Sequence, residues 1–146
     1  MRITYKGDYA LKAILDLALH YGSGVVTIHD LAKRIDAPVK FLEQVLLDLK
    51  RAGFVESRRG KVGGYSLAMP PRQIKLGQVI RFIDGPIEPI GCINEAYTNC
   101  KDLYKCAFRE VWKEVASAIS DIVDRMTFED LAKLVQYKKE TLVYQI

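Results

Sequence analysis

The stretch TIHDLAKRIDAPVKFLEQVLLDLK, residues 27–50, decides how this chain folds. Thr27 followed three residues later by Asp30 reads as a helix start, the hydroxyl capping free backbone amides and the carboxylate favoured by the helix's positive end. Leu31 and Ile35 then face inward. Asp36-Ala37-Pro38 makes a tight break, and proline suits the first turn of a following helix, where its missing N–H has no partner to lose. The inner stripe of that helix is Leu42, Val45, Leu46 and Leu49, ending before Gly53. Lys40, Glu43, Gln44 and Asp48 lie largely on the other side. Two short helices joined by a tight turn make a helix-turn-helix.

On the N-terminal side, Tyr9, Ala10, Ala13, Ile14, Leu17, Ala18 and Tyr21 recur at helical spacing. They predict an amphipathic first helix from about Lys6 to Tyr21, stopped by Gly22-Ser23-Gly24. On the C-terminal side, Phe54-Val55-Glu56-Ser57 reads as a strand. A basic, glycine-rich tip runs from Arg58 to Gly64, and Tyr65-Ser66-Leu67 reads as a second strand. The glycines allow the reversal. A helix-turn-helix followed by such a hairpin is a winged helix, with Arg58, Arg59 and Lys61 placed for phosphates or a narrow minor groove.

Pro70-Pro71 separates this unit from a helix predicted over about Leu76 to Asp84. Further on, Phe108, Trp112, Val115, Ile119, Ile122 and Met126 alternate steps of four and three, the heptad spacing that aligns one apolar seam for a partner helix. Thr127 would cap a last helix carrying Phe128, Leu131, Leu134 and Val135. The expected fold is mainly α with a small β-hairpin: a winged helix-turn-helix with a long C-terminal dimerisation helix. The expected organisation is a DNA-binding unit over residues 1–84, a cysteine loop over 85–106, and a dimerisation helix with a C-terminal helix over 107–146. A seam of this length can pack within the chain or against a second copy; the winged half is too small to cover both it and the last helix, so a homodimer is expected.

At 146 residues and 16.6 kDa the chain can bury one good core with an appended helical arm. Hydrophobic residues make up 49%, yet no apolar run approaches the ~18 residues that cross a bilayer. The first eight residues lack a signal peptide's apolar centre. A cytoplasmic protein without a membrane partner is expected. The net charge of +4 is lopsided: residues 1–75 carry 13 Lys/Arg against 7 Asp/Glu, and residues 76–146 carry 9 against 11. The basic half is the one suited to phosphate. The sequence contains neither a glycine-rich nucleotide loop nor a nucleophile–base constellation, so an enzyme is not expected.

The three cysteines, Cys92, Cys100 and Cys106, fall in one stretch that resists reading as helix or strand. An odd count cannot close into disulfides within one chain. Three thiolates in a loop suit a soft metal centre, zinc or an iron–sulfur cluster, with one coordination position left open. The spacing lacks the short Cys-x-x-Cys knuckle of structural zinc sites. His20 and His29 are distant in sequence and read as structural.

Taken together, Met1-Arg2-Ile3-Thr4 with Lys6-Gly7 and Tyr9-Ala10, Phe41-Leu42-Glu43-Gln44 with Leu49, Arg59-Gly60 with Gly63-Gly64-Tyr65-Ser66-Leu67, and the cysteine loop before a long helix closely resemble the bacterial winged-helix iron–sulfur regulators of the IscR and NsrR type. The resemblance runs through nearly the whole chain. It implies a homodimeric transcription regulator, activating or repressing, that binds a double-stranded operator and carries a 2Fe-2S or 4Fe-4S cluster on Cys92, Cys100 and Cys106. Glu43 and Gln44 match base-reading positions, and Arg59 matches the wing residue that enters the minor groove. These roles agree with chemistry: Gln reads adenine bidentately, and Glu accepts from cytosine N4 while repelling phosphate. Lys40 would grip a phosphate.

Two departures from the family pattern matter. In one branch a histidine three residues after the last cysteine is the fourth ligand, and here Arg109 stands there. In the nitric-oxide-sensing branch an acidic residue of the partner's first helix does this task, which corresponds to Asp8. Some relatives bind no cluster and sense sulfur metabolism, so zinc binding or bare thiol sensing is the alternative.

Overall fold

In the computed structural model, residues 1–145 are described, and they form six α-helices and one antiparallel hairpin. The order is α1 (Tyr5–Leu19), α2 (Ile28–Ile35), α3 (Val39–Arg51), β1 (Val55–Arg58), β2 (Gly64–Leu67), α4 (Leu76–Asp84), α5 (Ala107–Arg125) and α6 (Phe128–Tyr144). The expected winged helix-turn-helix is present. Among the described residues no helix is long and apolar enough to cross a membrane.

The central turn forms as its residues dictate. The Thr27 hydroxyl accepts from the Asp30 amide at 3.2 Å and starts α2. Asp36 ends it at φ +53°, a left-handed conformation that a short polar side chain tolerates. The Ala37 amide donates to the Ala32 carbonyl at 2.9 Å and closes the turn. Pro38 caps α3 from an extended conformation instead of occupying its first helical position. The physical reason is the same: its nitrogen has no hydrogen to leave unpaired. Leu42, Val45, Leu46 and Leu49 are all fully buried, as the stripe predicts.

α1 is the hub of the core. Ala10 and Ala13 are small enough to let neighbouring helices approach, and Ile14 and Leu17 fill the space between them. Phe128, the first residue of α6, is fully buried in this same core, with Leu131 packed beside it. One charge is buried here, on Asp16 of α1. Arg34 of α2 meets it with both nitrogens, Nε to Oδ1 at 2.9 Å and Nη2 to Oδ2 at 2.8 Å. Two parallel charge-assisted bonds offset the desolvation that a lone carboxylate would suffer.

The first turn of α1 is clamped by the end of α4. The Thr4 amide donates to Asp84 Oδ2 at 3.1 Å, and the Thr4 hydroxyl bonds the other Asp84 oxygen. A Cβ on Gly7 would collide with that carboxylate. The close approach therefore requires glycine.

Hairpin pairing sets Val55 opposite Leu67 and Arg58 opposite Gly64. A third segment joins the sheet, because Val26 and Tyr65 exchange backbone hydrogen bonds of 2.8 Å in both directions. A Cβ on Gly64 would strike the Val26 carbonyl, so this glycine fixes the wing to the helical unit.

α5 packs on α4 through its C-terminal half, while Arg109 ties its first turn to the Cys92 carbonyl. Arg81 of α4 donates to both Asp124 oxygens, at 2.6 and 2.9 Å, and to the Ser120 hydroxyl at 3.2 Å. Val123 is the buried residue of α5, in a small cluster with Ile80 and Ile87. The N-terminal half is uncovered, with Phe108 73% and Trp112 39% exposed.

Candidate functional site

The expected DNA-reading side chains all stand on the surface. Lys40, Glu43 and Gln44 are exposed on α3, Arg58 is the last residue of β1, and Arg59 and Lys61 are exposed on the wing tip. Glu43, Arg58 and Arg59 share one cleft between α3 and the hairpin, about 360 Å³ in volume, together with Lys50, Ser57 and Tyr65. Lys50 Nζ donates to the Ser57 hydroxyl at 2.6 Å and ties the two walls together. Among the described residues, Lys40, Arg58, Arg59 and Lys61 pair with no acidic side chain. Their charge is available to a polyanion. Gly60, at φ +122°, turns the wing tip, and Gly63 sits so close to the Arg58 and Gly60 carbonyls that a side chain there would displace them.

Behind this face lies a contact the sequence reading did not find. Lys6 of α1 meets Asp48 of α3 at 2.6 Å. The Lys6 ammonium holds the Asp48 carboxyl below the usual range, and Arg51 and the Gln44 amide add to that effect. Residues 44 and 48 are one helical turn apart, a cue visible in the sequence. Lys6 could be matched to them only through the tertiary fold.

The cysteines occupy the connection between α4 and α5. Cys92 lies in a single 3-10 turn over Gly91–Ile93 and is half-buried, Cys100 is exposed, and Cys106 is half-buried at the N-cap of α5. All three thiols are free. Arg109 links two of them: its Nε donates to the Cys92 carbonyl at 2.8 Å, while its amide donates to the Cys106 carbonyl at 3.2 Å. The residue standing in the ligand histidine's place thus acts as a brace. Among the described residues, no three His, Cys, Asp or Glu side chains converge as a metal-holding group. The donor chemistry suits an iron–sulfur cluster, since three free thiols lie on one loop and Cys106 stands at the N-cap, the positive end, of a 19-residue helix.

Asp8 lines a separate hollow with Arg2, Ile3, Thr4 and Tyr5 at the start of α1. It is paired with Lys12 at 2.7 Å, one turn along, and this hydrogen bond raises the Lys12 pKa. The structure does not bring Asp8 together with the cysteines of its own chain, and the sequence reading assigned it to a partner's loop.

The Rrf2 family, described as an iron-dependent transcriptional regulator, matches residues 3–134. An rrf2-like HTH-type transcriptional regulator of Rhodobacter capsulatus is 42% identical, over 88% of this chain and 91% of that protein. The solved structure of CymR, the global cysteine regulator of B. subtilis, superposes with a TM-score of 0.78 at 34% identity, covering 92% of this chain and 98% of that one. T. potens IscR superposes with a TM-score of 0.72 at 32% identity, covering 92% and 88%.

Proposed function

This chain belongs to the Rrf2 family of transcriptional regulators, and we propose that within it the protein is a homodimeric, cluster-dependent regulator. It binds a roughly two-fold operator and responds to iron–sulfur status, redox state or nitric oxide. Its relatives are regulators, not enzymes. The observation that carries the reading is the Arg109 brace, which joins Cys92 to the turn where Cys106 opens α5. Whatever the cysteines bind is thereby coupled to the helix with the exposed apolar seam.

Cys92, Cys100 and Cys106 would hold the group, with Asp8 of the partner subunit as fourth ligand. A bound cluster would supply electron transfer and sensitivity to oxidants and nitric oxide. The chain's own residues do the rest. α5 lays Phe108, Trp112 and Ile122 against a second copy, and the two α3 helices then stand about one turn of DNA apart, roughly 34 Å. Gln44 and Glu43 meet base edges, Lys40 a phosphate, and Arg58, Arg59 and Lys61 the flanking backbone and minor groove. Lys12 engages Oδ2 of Asp8, which leaves Oδ1 for a ligand role; if Asp8 is the fourth ligand, Asp8→Ala should alter the spectrum and lability of a bound cluster. An unchanged spectrum leaves Asp8 only its Lys12 pair and helix-end role.

A second reading is favoured by one observation: Cys100 is exposed and the sulfurs do not converge among the described residues. Under it the cysteines bind zinc or respond as bare thiols, in keeping with the likeness to CymR. Iron and sulfide content after anaerobic purification separates the two, because zinc and free thiols bring neither in stoichiometric amount.

A further inference from the structure

We infer that Lys6 and Asp48 are positioning residues that set the base-reading rotamer of Gln44, so that a lysine of the first helix helps determine operator sequence preference. The inference rests on the reading of α3 as the recognition helix. Gln44 and Asp48 are at i and i+4, the spacing at which a glutamine amide and a carboxylate face each other. Asp48 is itself held. Lys6 Nζ lies 2.6 Å from its Oδ2, and Arg51 approaches its Oδ1 at 3.6 Å. With its side chain only 16% exposed, the carboxylate is wedged between α1 and α3. Lys6 in turn sits in a turn that cannot drift, between the Thr4–Asp84 clamp and the glycine at position 7 that packs on it.

The chemistry favours a reading-competent amide. Gln reads adenine with one N–H donated to N7 and its carbonyl accepting from the N6 amino group. The Nε2 group carries two hydrogens. In the proposed arrangement one of them is donated to Asp48, which leaves the other hydrogen and the carbonyl free for the base. A long side chain ordered before contact also avoids part of the entropic cost of ordering it on DNA. Losing Lys6 frees Asp48 to turn toward solvent or Arg51, so that it no longer stands fixed one turn beyond Gln44. A mere tie between α1 and α3 would instead affect all operator sequences alike.

The test measures binding by fluorescence anisotropy to an operator series with each base at every half-site position. Gln44→Ala identifies the position it reads. The proposal expects Lys6→Met and Asp48→Asn to reduce preference at that same position by roughly tenfold, within what one bidentate contact supplies. Lys6→Arg should retain the preference, and adding Lys6→Met to Gln44→Ala should reduce it no further. Circular dichroism confirms that each variant is folded. If both Lys6→Met and Asp48→Asn weaken every operator equally or leave preference unchanged while Gln44→Ala changes it, the positioning role is refuted and α3 remains the reader. If Gln44→Ala changes no preference, the assignment of α3 fails and the inference with it.

Discussion

Truncating Phe108 should dissociate the protein into monomers. The ring is 73% exposed on the uncovered half of α5, at the head of the heptad seam. A phenylalanine side chain offers about 200 Å² of apolar surface, so most of the ring is left for a partner to cover. At about 25 cal/mol per Å², and allowing for the Cβ that remains, Phe108→Ala removes about 2 kcal/mol per copy, or about 4 kcal/mol across a two-fold interface. Each 1.4 kcal/mol is about tenfold, so self-association should weaken about a thousandfold. Sedimentation velocity over a concentration series reads this directly. Val62 on the wing, 78% exposed but far from α5 in sequence and fold, is the control, and Val62→Ala should sediment like the parent. If Phe108→Ala associates as tightly as the parent, or the parent itself is monomeric at high concentration, the seam is not the dimer interface.

Several features of the fold can be tested separately. Arg81 holds the Asp124 carboxyl below its ordinary 3.8. A depressed acid contributes stability that is complete above the unfolded value and is lost as pH falls through the lower folded one. With both side chains more than a third exposed, screening limits this to under about 1 kcal/mol. Asp124→Asn should therefore melt below the parent at neutral pH and converge with it below pH 3.8 in calorimetry; a constant gap would contradict the pairing. Gly64→Ala should cost about 1–3 kcal/mol by forcing the Val26 carbonyl away, and should weaken operator binding. Unchanged melting and binding would show that the wing tolerates the displacement. Arg109→Ala should make a bound cluster more labile by freeing the Cys92 carbonyl, whereas Arg109→His should change its absorption spectrum by offering a nitrogen ligand. Identical spectra and stability in both variants would remove Arg109 from the site.

Local chemistry made the helix-turn-helix legible. Thr27, Asp30, Pro38 and the Leu42–Leu49 stripe act through neighbours a few residues away, and periodicity reports them directly. The hairpin was legible for the same reason, since its glycines permit the turn whatever surrounds it. Val26 as a third partner of the sheet was not, because a single bridge has no period. The ion pairs Asp16–Arg34, Lys6–Asp48 and Arg81–Asp124 join residues separated by 18 to 43 positions, and nothing local singles out either member. Gly7 and Gly64 illustrate the limit well. Their identity is plain in the sequence, while the reason for it, a carboxylate or a carbonyl pressed against the missing Cβ, exists only once the chain has folded. That the three cysteines share the connection between α4 and α5 was legible, and the brace through Arg109 was not.

The central claim is that Cys92, Cys100 and Cys106 carry a cluster that governs DNA binding. Anaerobic purification of the full chain, with iron and acid-labile sulfide assays and operator binding measured before and after cluster removal, tests it most directly. The account predicts stoichiometric iron and sulfide in the parent, their loss in each Cys→Ala variant, and a change in operator affinity when the cluster is removed. Parent protein without iron or sulfide, binding its operator with the same affinity as all three cysteine variants, would contradict it.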